Sequence, residues 1–403
     1  MKYWTGYLAA AIIGAISWAL LKLAEKYTQL VDMIYPYITR NLQSVLATWS
    51  SGVDFCLWQV AVVLFAVVLV AFVVVIITMK WNPIRWAGWL LALCSAVYLL
   101  HTLTFGLNYH AGALADDIRM EQRDYSLEEM ANATSYYRDR ANLLAVQMNR
   151  DSAGQLIYAD FDTLANMAEA GFDSLVHDYH FPVFAGSKLP VKKLSWANMY
   201  SSMGITGVTM GITGEAAVNP QIPGVSLPFT MCHEMAHRMS IARESDANFA
   251  AFLASMANAD KQYQYSAYFM AYRYCYNAMV QIGTLDANAA AAKIAAQNCP
   301  ELQRDIAAYN DFFSSKRNDA ATNVANTVND TYLKTSGDSE GIASYGRVSD
   351  LLVNWHYKTI VLPALTEQQN PFDPLDENQV DLSDNPNSRE PVATEPPAAG
   401  GVG

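Results

Sequence analysis

The first 107 residues contain three long runs of apolar side chains. They extend from Trp4 to Ala24, from Phe55 to Met79 and from Trp86 to Leu107, and the second run has no charged residue. A helix needs about 20 apolar residues to cross the hydrocarbon core of a bilayer. Residues 1–107 are therefore predicted to form a membrane anchor of three transmembrane helices. The segment from Glu25 to Asp54, between the first two runs, is amphipathic and is interpreted as a connection.

Beyond the third run, the composition changes to that of a soluble domain, which we expect to cover residues 108–365. Ser126, with Glu129 three residues later, is a capping-box pattern and predicts a helix N-terminus within the helical stretch from Glu121 to Arg150. Apolar residues also recur at helical spacing from Gly154 to Tyr179. Further helices are predicted at Phe249 to Ser255, Tyr263 to Ile282, Ala287 to Gln297, Glu301 to Phe313 and Gly341 to Tyr357.

The stretch from Met203 to Val218 departs from this helical pattern. Glycines and β-branched residues alternate there in short runs, which is typical of strands separated by turns. The expected fold class is therefore α+β and mostly helical: three transmembrane helices, followed by a domain with a small sheet. Either Ile205 to Val208 or Met210 to Thr213 could be an edge strand, and interior strands joined by glycine turns fit the same residues equally well.

Residues 366–403 form a tail that is rich in proline, acidic residues and asparagine and poor in apolar residues. Such a composition cannot bury enough apolar surface to fold, so we predict that the tail is disordered. Its eight acidic residues and single basic residue, Arg389, supply −7 of the formal net charge of −12. The sequence has no basic stripe, which argues against nucleic acid as a partner.

The most informative chemistry lies in the middle of the soluble domain, where His233-Glu234-x-x-His237 is followed by Glu244. Residues four apart on a helix share a face, so the two imidazoles can bind one metal ion. The carboxylate of Glu234 can then act as a general base on a water bound to that ion. A catalytic zinc ion takes three protein ligands and keeps one position open. We expect Glu244 to be the third ligand.

One straight helix cannot present all three ligands. The seven residues from His237 to Glu244 rise about 10.5 Å along an α-helix, whereas zinc–ligand bonds are only about 2 Å long. The helix must therefore end between Arg238 and Arg243, and we place the turn at Ser240, although glycine adopts a left-handed cap more readily. Asp246 is the rival third ligand.

Other polar residues are candidates for supporting roles. Peptide hydrolysis needs a second donor, besides the metal, for the tetrahedral intermediate. The candidates are Tyr345, His356, Arg238 and Arg243, each with a purely structural role as the alternative. No cysteine pair has the spacing of a zinc site, but Cys275 and Cys299 could form a disulfide if the domain faced an oxidising compartment.

Several short motifs follow one order along residues 1–360. They are the three apolar runs, Phe105 to Tyr109, Gly204 to Gly207, Gly214 to Asn219, Leu227 to Thr230, the His233 motif, Arg243 to Phe249 and Ser344 to Gly346. In this order they resemble the bacterial membrane-protein family called domain of unknown function 3810. That family in turn resembles zincin-type metallopeptidases of the gluzincin subgroup, which share His-Glu-x-x-His and a downstream Glu-x-x-Ala-Asp or Glu-x-x-Ala-Asn.

The resemblance implies a zincin-like domain with a bound Zn²⁺ ion. It puts His233, His237 and Glu244 on the metal-ligand positions and Glu234 on the catalytic position. We therefore expect a membrane-anchored zinc metallopeptidase that cleaves a protein or peptide substrate beside the bilayer. The alternative is a membrane sensor or scaffold with a structural or vestigial zinc site, which a fourth protein ligand would favour. Neither the substrate nor the oligomeric state follows from the sequence.

The distribution of basic residues bears on the orientation in the membrane. Lys80 and Arg85 lie in the shortest loop, which places that loop in the cytoplasm, and Lys2 agrees. Three basic residues on the other side oppose this bias: Lys22, Lys26 and Arg40. We expect a multi-pass protein of the cell membrane whose catalytic domain is extracytoplasmic.

Overall fold

The computed structural model describes residues 4–338 and 347–369, with side chains up to residue 366. The described chain is mostly helical and includes one small sheet. It divides into two units, Met1–His356 and Tyr357–Gly403. In the second unit, the described residues form a helical turn, Tyr357–Val361, and helix α16 (Leu362–Gln369). Helix α16 extends past the predicted domain boundary at residue 365, and residues 370–403 lie outside the described part.

Among the described residues, three helices are long and apolar enough to cross a membrane: α1 (Thr5–Lys26), α3 (Leu57–Thr78) and α4 (Pro83–Thr104). Each agrees with one of the predicted runs. Helix α4 begins at Pro83 rather than Trp86, because Asn82 accepts a hydrogen bond at its N-terminus and proline fits the first turn. Helices α1 and α4 pack closely along each other.

The segment that we interpreted as a connection is a helix, α2 (Thr28–Ser50). Its buried residues Thr39, Gln43 and Ala47 recur every four positions and form one face, as expected for an amphipathic helix. This face packs on the short turn Gly106–His110, which follows α4, and on parts of the domain beyond it.

Most of the domain is helical, as predicted. Its helices are α5 (Leu114–Asp117), α6 (Leu127–Ala145), α7 (Phe161–His177), α8 (Ala197–Met203), α9 (Leu227–Arg238), α10 (Glu244–Ala257), α11 (Lys261–Ile282), α12 (Leu285–Ala295), α13 (Pro300–Lys316), α14 (Asp319–Ser336) and α15 (Val348–His356). Ser126 and Glu129 form the predicted capping box at the start of α6. The sequence patterns did not predict α14, and residues 341–346 of the last predicted helix lie outside the described part.

The hydrophobic core surrounds α10, which is buried along almost its whole length. Helix α10 packs against α7, α9, α11 and α15, and large aromatic side chains such as Phe249 and Phe252 fill the spaces between these helices. Since α9 and α10 carry the predicted metal ligands, those ligands are attached to the most rigidly packed part of the domain.

The sheet has three strands, β1 (Lys192–Lys193), β2 (Gly207–Met210) and β3 (Glu215–Val218), in the order β1-β3-β2. Strand β2 pairs with β3 antiparallel, and β1 pairs with β3 parallel. β2 is therefore an edge strand, and its bounds overlap both predicted candidates.

The cysteines do not form disulfides. All five are free thiols. Cys275 is buried in the core, and Cys299 lies at the N-terminus of α13, where its Sγ accepts a hydrogen bond from the Leu302 amide (3.4 Å). The pairing of Cys275 with Cys299 that the sequence left open is therefore not formed.

Candidate metal centre

Helix α9 places the two histidines of the motif on one face. It begins at Leu227, with Pro228 in its first turn as predicted, and ends at Arg238. His233 and His237 lie one turn apart, with ring centroids 4.6 Å apart and their Nε2 atoms separated by 3.1 Å. The two imidazoles therefore present their Nε2 atoms to the same point.

The chain reverses immediately after α9. Ser240 has φ of 72°, in the left-handed region, and its amide donates to the His237 carbonyl (2.9 Å). The predicted turn at Ser240 is therefore confirmed. The side chain of Ser240 contacts helix α2, where Ser240 Oγ and Thr39 Oγ1 are 2.9 Å apart. The turn brings Glu244, the first residue of α10, back to the two histidines.

The three predicted ligands meet in one cluster. Glu244 Oε2 lies 3.3 Å from His233 Nε2 and 3.4 Å from His237 Nε2. Three ligand atoms with bonds of about 2.0–2.1 Å around a tetrahedral zinc ion are about 3.3 Å apart. The observed triangle, with its third side of 3.1 Å, has this size without any rearrangement.

The electrostatics of the cluster favour a cation between these atoms. Burial alone raises the pKa of Glu244, but the imidazoles of His237 and His233 outweigh it and hold that pKa well below its usual range. Burial lowers the pKa of His237, but the charge of Glu244 outweighs it and raises this pKa to about 9. Oε2 of Glu244 is buried and accepts no well-aligned hydrogen bond from the residues described.

Neighbouring groups orient His237. Its Nδ1 lies 2.8 Å from the carbonyl oxygen of Ile241, which fixes the proton on Nδ1 and leaves Nε2 free to bind a metal. The ring of Phe105 packs edge-on against this imidazole, with 6.3 Å between centroids. Nδ1 of His233 is buried and has no hydrogen-bond partner in residues 4–338 or 347–366.

Glu234 lies between the histidines and the edge strand. The residue is only 4% exposed, and its Oε2 accepts a hydrogen bond from Thr209 Oγ1 of β2 (2.7 Å). Burial raises the pKa of this carboxyl, although the two histidines oppose the shift. A Cβ atom at Gly207 would collide with the side chain of Glu234, so a larger residue there would displace β2 or the carboxylate. Sequence reasoning did not find Thr209 or Gly207, although both lie in the predicted strand region.

One other predicted residue, described by the structure, is not in the cluster. Asp246, the rival third ligand, accepts a hydrogen bond from the Leu114 amide (3.2 Å) and lies 3.6 Å from Arg243 Nη1, so its carboxylate has partners elsewhere. Tyr345 lies outside the described residues.

The remaining candidates for a second donor have structural contacts. Arg238 is buried and donates to the carbonyl of Leu189. Arg243 donates to the carbonyl of Ala111 (2.5 Å), and His356 packs against two tyrosine rings of α6. The contacts of these three residues agree with the structural alternative.

Comparison with known proteins gave one match. The family model described as protein of unknown function (DUF3810) matches residues 31–353, from α2 to α15. The matched range contains the clustered residues His233, His237 and Glu244, and also Glu234. Searches of curated proteins and of solved structures gave no match.

Proposed function

Because the chain belongs to the family of unknown function DUF3810, its activity has to be argued from the site, and we propose that it is a membrane-anchored zinc-dependent metallopeptidase. The observation that carries this proposal is the triangle of His233 Nε2, His237 Nε2 and Glu244 Oε2, 3.1–3.4 Å on a side. A buried carboxylate, Glu234, is the neighbour of the first ligand in the sequence.

The chemistry of the donor set fits zinc. Two imidazoles and one carboxylate are the protein ligands of many hydrolytic zinc sites, and a fourth position stays open for water or substrate. Within the described residues, no further His, Cys, Asp or Glu joins the three. This supports a catalytic site over the alternative of a membrane sensor or scaffold with a structural zinc ion. When bound, zinc would polarise the scissile carbonyl and acidify water.

Glu234 is the general base and acid in this proposal. Its carboxylate accepts a proton from the attacking water and passes it to the nitrogen of the leaving amine. The Thr209 hydroxyl holds Oε2 in place at 2.7 Å, and burial keeps bulk water away from the carboxylate. β2 contributes a second element: within the described residues its outer edge has no paired strand, so it can pair with the backbone of an extended substrate.

The arrangement of the spans supports an extracytoplasmic catalytic domain. Tyr7 Oη donates to the Ile84 carbonyl (2.9 Å), so the N-terminal ends of α1 and α4 lie together, at the side away from the domain. Lys80 and Arg85 lie at that end of the spans, and cytoplasmic loops are enriched in basic residues. On the domain side, Lys22 is paired with an acidic residue of α1, which weakens the opposing charge.

Metal content and proteolysis of the purified full chain test the proposal. Glu234→Gln should keep stoichiometric zinc and cleave denatured casein about 10²–10⁴-fold more slowly, because only the proton-transfer group is lost. His233→Ala should lose the zinc. The exposed Glu169 provides the matched control, since Glu169→Gln should retain both zinc and activity. Full activity in Glu234→Gln would refute the mechanism.

A further inference from the structure

The metal centre lies at the ends of the membrane-spanning helices. Helix α4 has 22 residues, which rise about 33 Å and match a hydrocarbon core of about 30 Å. Its last residue, Thr104, is followed directly by Phe105, whose ring packs on the ligand His237. The cluster is therefore one side-chain contact away from the end of α4.

The sheet next to the cluster is attached to the end of α4. Gln43 of α2 donates from Nε2 to the carbonyls of Thr104 (3.0 Å) and Gly211 (2.7 Å). Gly211 is the first residue of the turn between β2 and β3, and its Cα packs against Phe105. One side of the hairpin is thus held at the domain end of α4.

The other side of the hairpin is attached to α3. Glu215 of β3 is 1% exposed and accepts hydrogen bonds from the amides of Leu57 (2.8 Å) and Trp58 (3.0 Å). These are the first residues of α3, where a carboxylate also interacts favourably with the helix dipole. Lys192 forms an ion pair with the same carboxylate (2.8 Å). The hairpin therefore connects the domain ends of α3 and α4.

Helix α14 makes a second connection between the same two spans. Near its N-terminus, Thr322 Oγ1 donates to the Ser202 carbonyl of α8 (3.1 Å), and Tyr200 of α8 lies 3.2 Å from Gln59 of α3. Near its C-terminus, Tyr332 Oη lies 3.2 Å from Nε2 of His101, in the last turn of α4.

Between these connections, α3 makes few contacts with the other described residues. No residue in the most apolar stretch of α3 is buried, and in the whole helix only Gln59 is. The two spans meet at their far ends, where the rings of Phe72 and Trp86 are 5.4 Å apart. We use the name window for the region bounded by Leu57, Thr104, β2 and α14, which we infer to be open towards the bilayer.

We propose that the substrate is the membrane-proximal segment of a protein that itself spans the bilayer, and that this segment enters through the window. This inference rests on the proposed peptidase function. An extended chain rises about 3.3 Å per residue, so a segment leaving the bilayer beside α4 reaches the cluster within about five residues. The same segment would pass the free edge of β2, where its backbone can pair. A folded soluble protein has no extended segment at this depth.

Full-length protein in phosphatidylcholine–phosphatidylglycerol vesicles tests this inference. The probe is a synthetic single-span polypeptide with a Gly/Ser-rich tail. The tail contains one cleavage cassette, which is a sequence that the enzyme cuts in denatured casein. With the cassette about 5 residues from the span, we expect cleavage at least tenfold faster than with the cassette about 30 residues from the span. We expect the same advantage over a tail that carries the cassette but has no span. Equal rates would overturn the membrane-proximal substrate and leave the peptidase function intact. Failure to cut casein in detergent would overturn both.

A pair of α14 variants tests the route. Ala325 is half-buried, one turn from the anchored Thr322, whereas Ala320 is exposed and lies about 140° around the helix from Ala325. Ala325→Trp should slow cleavage of the near cassette at least fivefold, and the matched Ala320→Trp should leave it unchanged. Zinc content reports that both variants are folded. If zinc-loaded Ala325→Trp cuts the near cassette at the wild-type rate, entry through the window is wrong.

Discussion

At the scale of single residues, Gly207 shows how closely the edge strand approaches the proposed base. Any Cβ at this position would overlap Glu234 Oε1, so the strand or the carboxylate would have to move. A displacement of about 1 Å in an active site can cost about 10²-fold in rate. We therefore expect Gly207→Ala to keep zinc and lose about 10²-fold in cleavage of denatured casein.

The control for this substitution is Gly52→Ala. A Cβ at Gly52 would meet its nearest neighbour, the Trp49 carbonyl oxygen, at an ordinary 3.6 Å, so activity should be unchanged. Wild-type activity in Gly207→Ala would mean that Glu234 tolerates a new position or is not the base.

His237 gives a prediction about metal binding and pH. Without metal, the charge of Glu244 outweighs burial and raises the pKa of His237 to about 9, so this imidazole is protonated at neutral pH. Zinc has to displace that proton, and one displaced proton makes the apparent affinity rise about tenfold per pH unit until the pKa is reached. Competition with a chromophoric chelator at pH 6.5, 7.5 and 8.5 measures this slope. An affinity that does not change over this range would contradict the protonated state.

At the scale of elements, the turn between α9 and α10 decides whether the proposed ligands meet. Ser240 adopts a left-handed conformation, which costs a residue with a side chain about 1 kcal/mol, and its hydroxyl contacts Thr39, a bond worth about 1 kcal/mol. Ser240→Ala keeps the strain and loses the bond, whereas Ser240→Gly loses both. Denaturant unfolding in detergent should therefore find the alanine variant less stable than the glycine variant by about 1 kcal/mol. The opposite order would show that strain at this turn is negligible.

The turn at Ser240 could be predicted from the sequence, whereas the contacts that hold the site together could not. The helix rise from His237 to Glu244 required a turn, and Ser240 was the correct position, because this argument needs only local geometry. The contact of Thr39 with Ser240 joins residues 201 positions apart, and no periodicity encodes it. The hydrogen bond from Thr209 to Glu234 likewise depends on tertiary packing.

Helix α14 was missed for a different reason. Only three of its residues are buried, Thr322, Leu333 and Ser336, and two of these are polar. Its apolar stripe is short, Val324, Val328 and Tyr332, and most of its other positions are polar or small. A helix that connects two other elements through its ends needs few apolar residues, so its composition resembles that of a loop.

At the scale of the whole molecule, α2 and the hairpin connect the spans to the domain. Thr39 and Gln43 of α2 contact the turn at Ser240 and the β2–β3 turn, and Glu215 holds the start of α3. The spans and the residues up to His356 accordingly belong to one compact unit. A membrane helix attached at such buried contacts does more than tether the domain, because it fixes the distance of the cluster from the bilayer.

Because the spans and the domain are fixed to each other, cysteine labelling at both ends of the spans tests the orientation in the membrane. Leu285 on the domain is 89% exposed, and Lys80 is exposed at the opposite end of the spans. In a Cys299→Ser background, Leu285→Cys should react with a membrane-impermeant maleimide on intact spheroplasts, because the domain is proposed to lie outside. Lys80→Cys should react only after permeabilisation, since its loop is proposed to be cytoplasmic. The background protein without either new cysteine measures labelling of the remaining thiols. The reverse pattern would put the domain in the cytoplasm, and a membrane-proximal substrate would then have to present its cytoplasmic segment to the window.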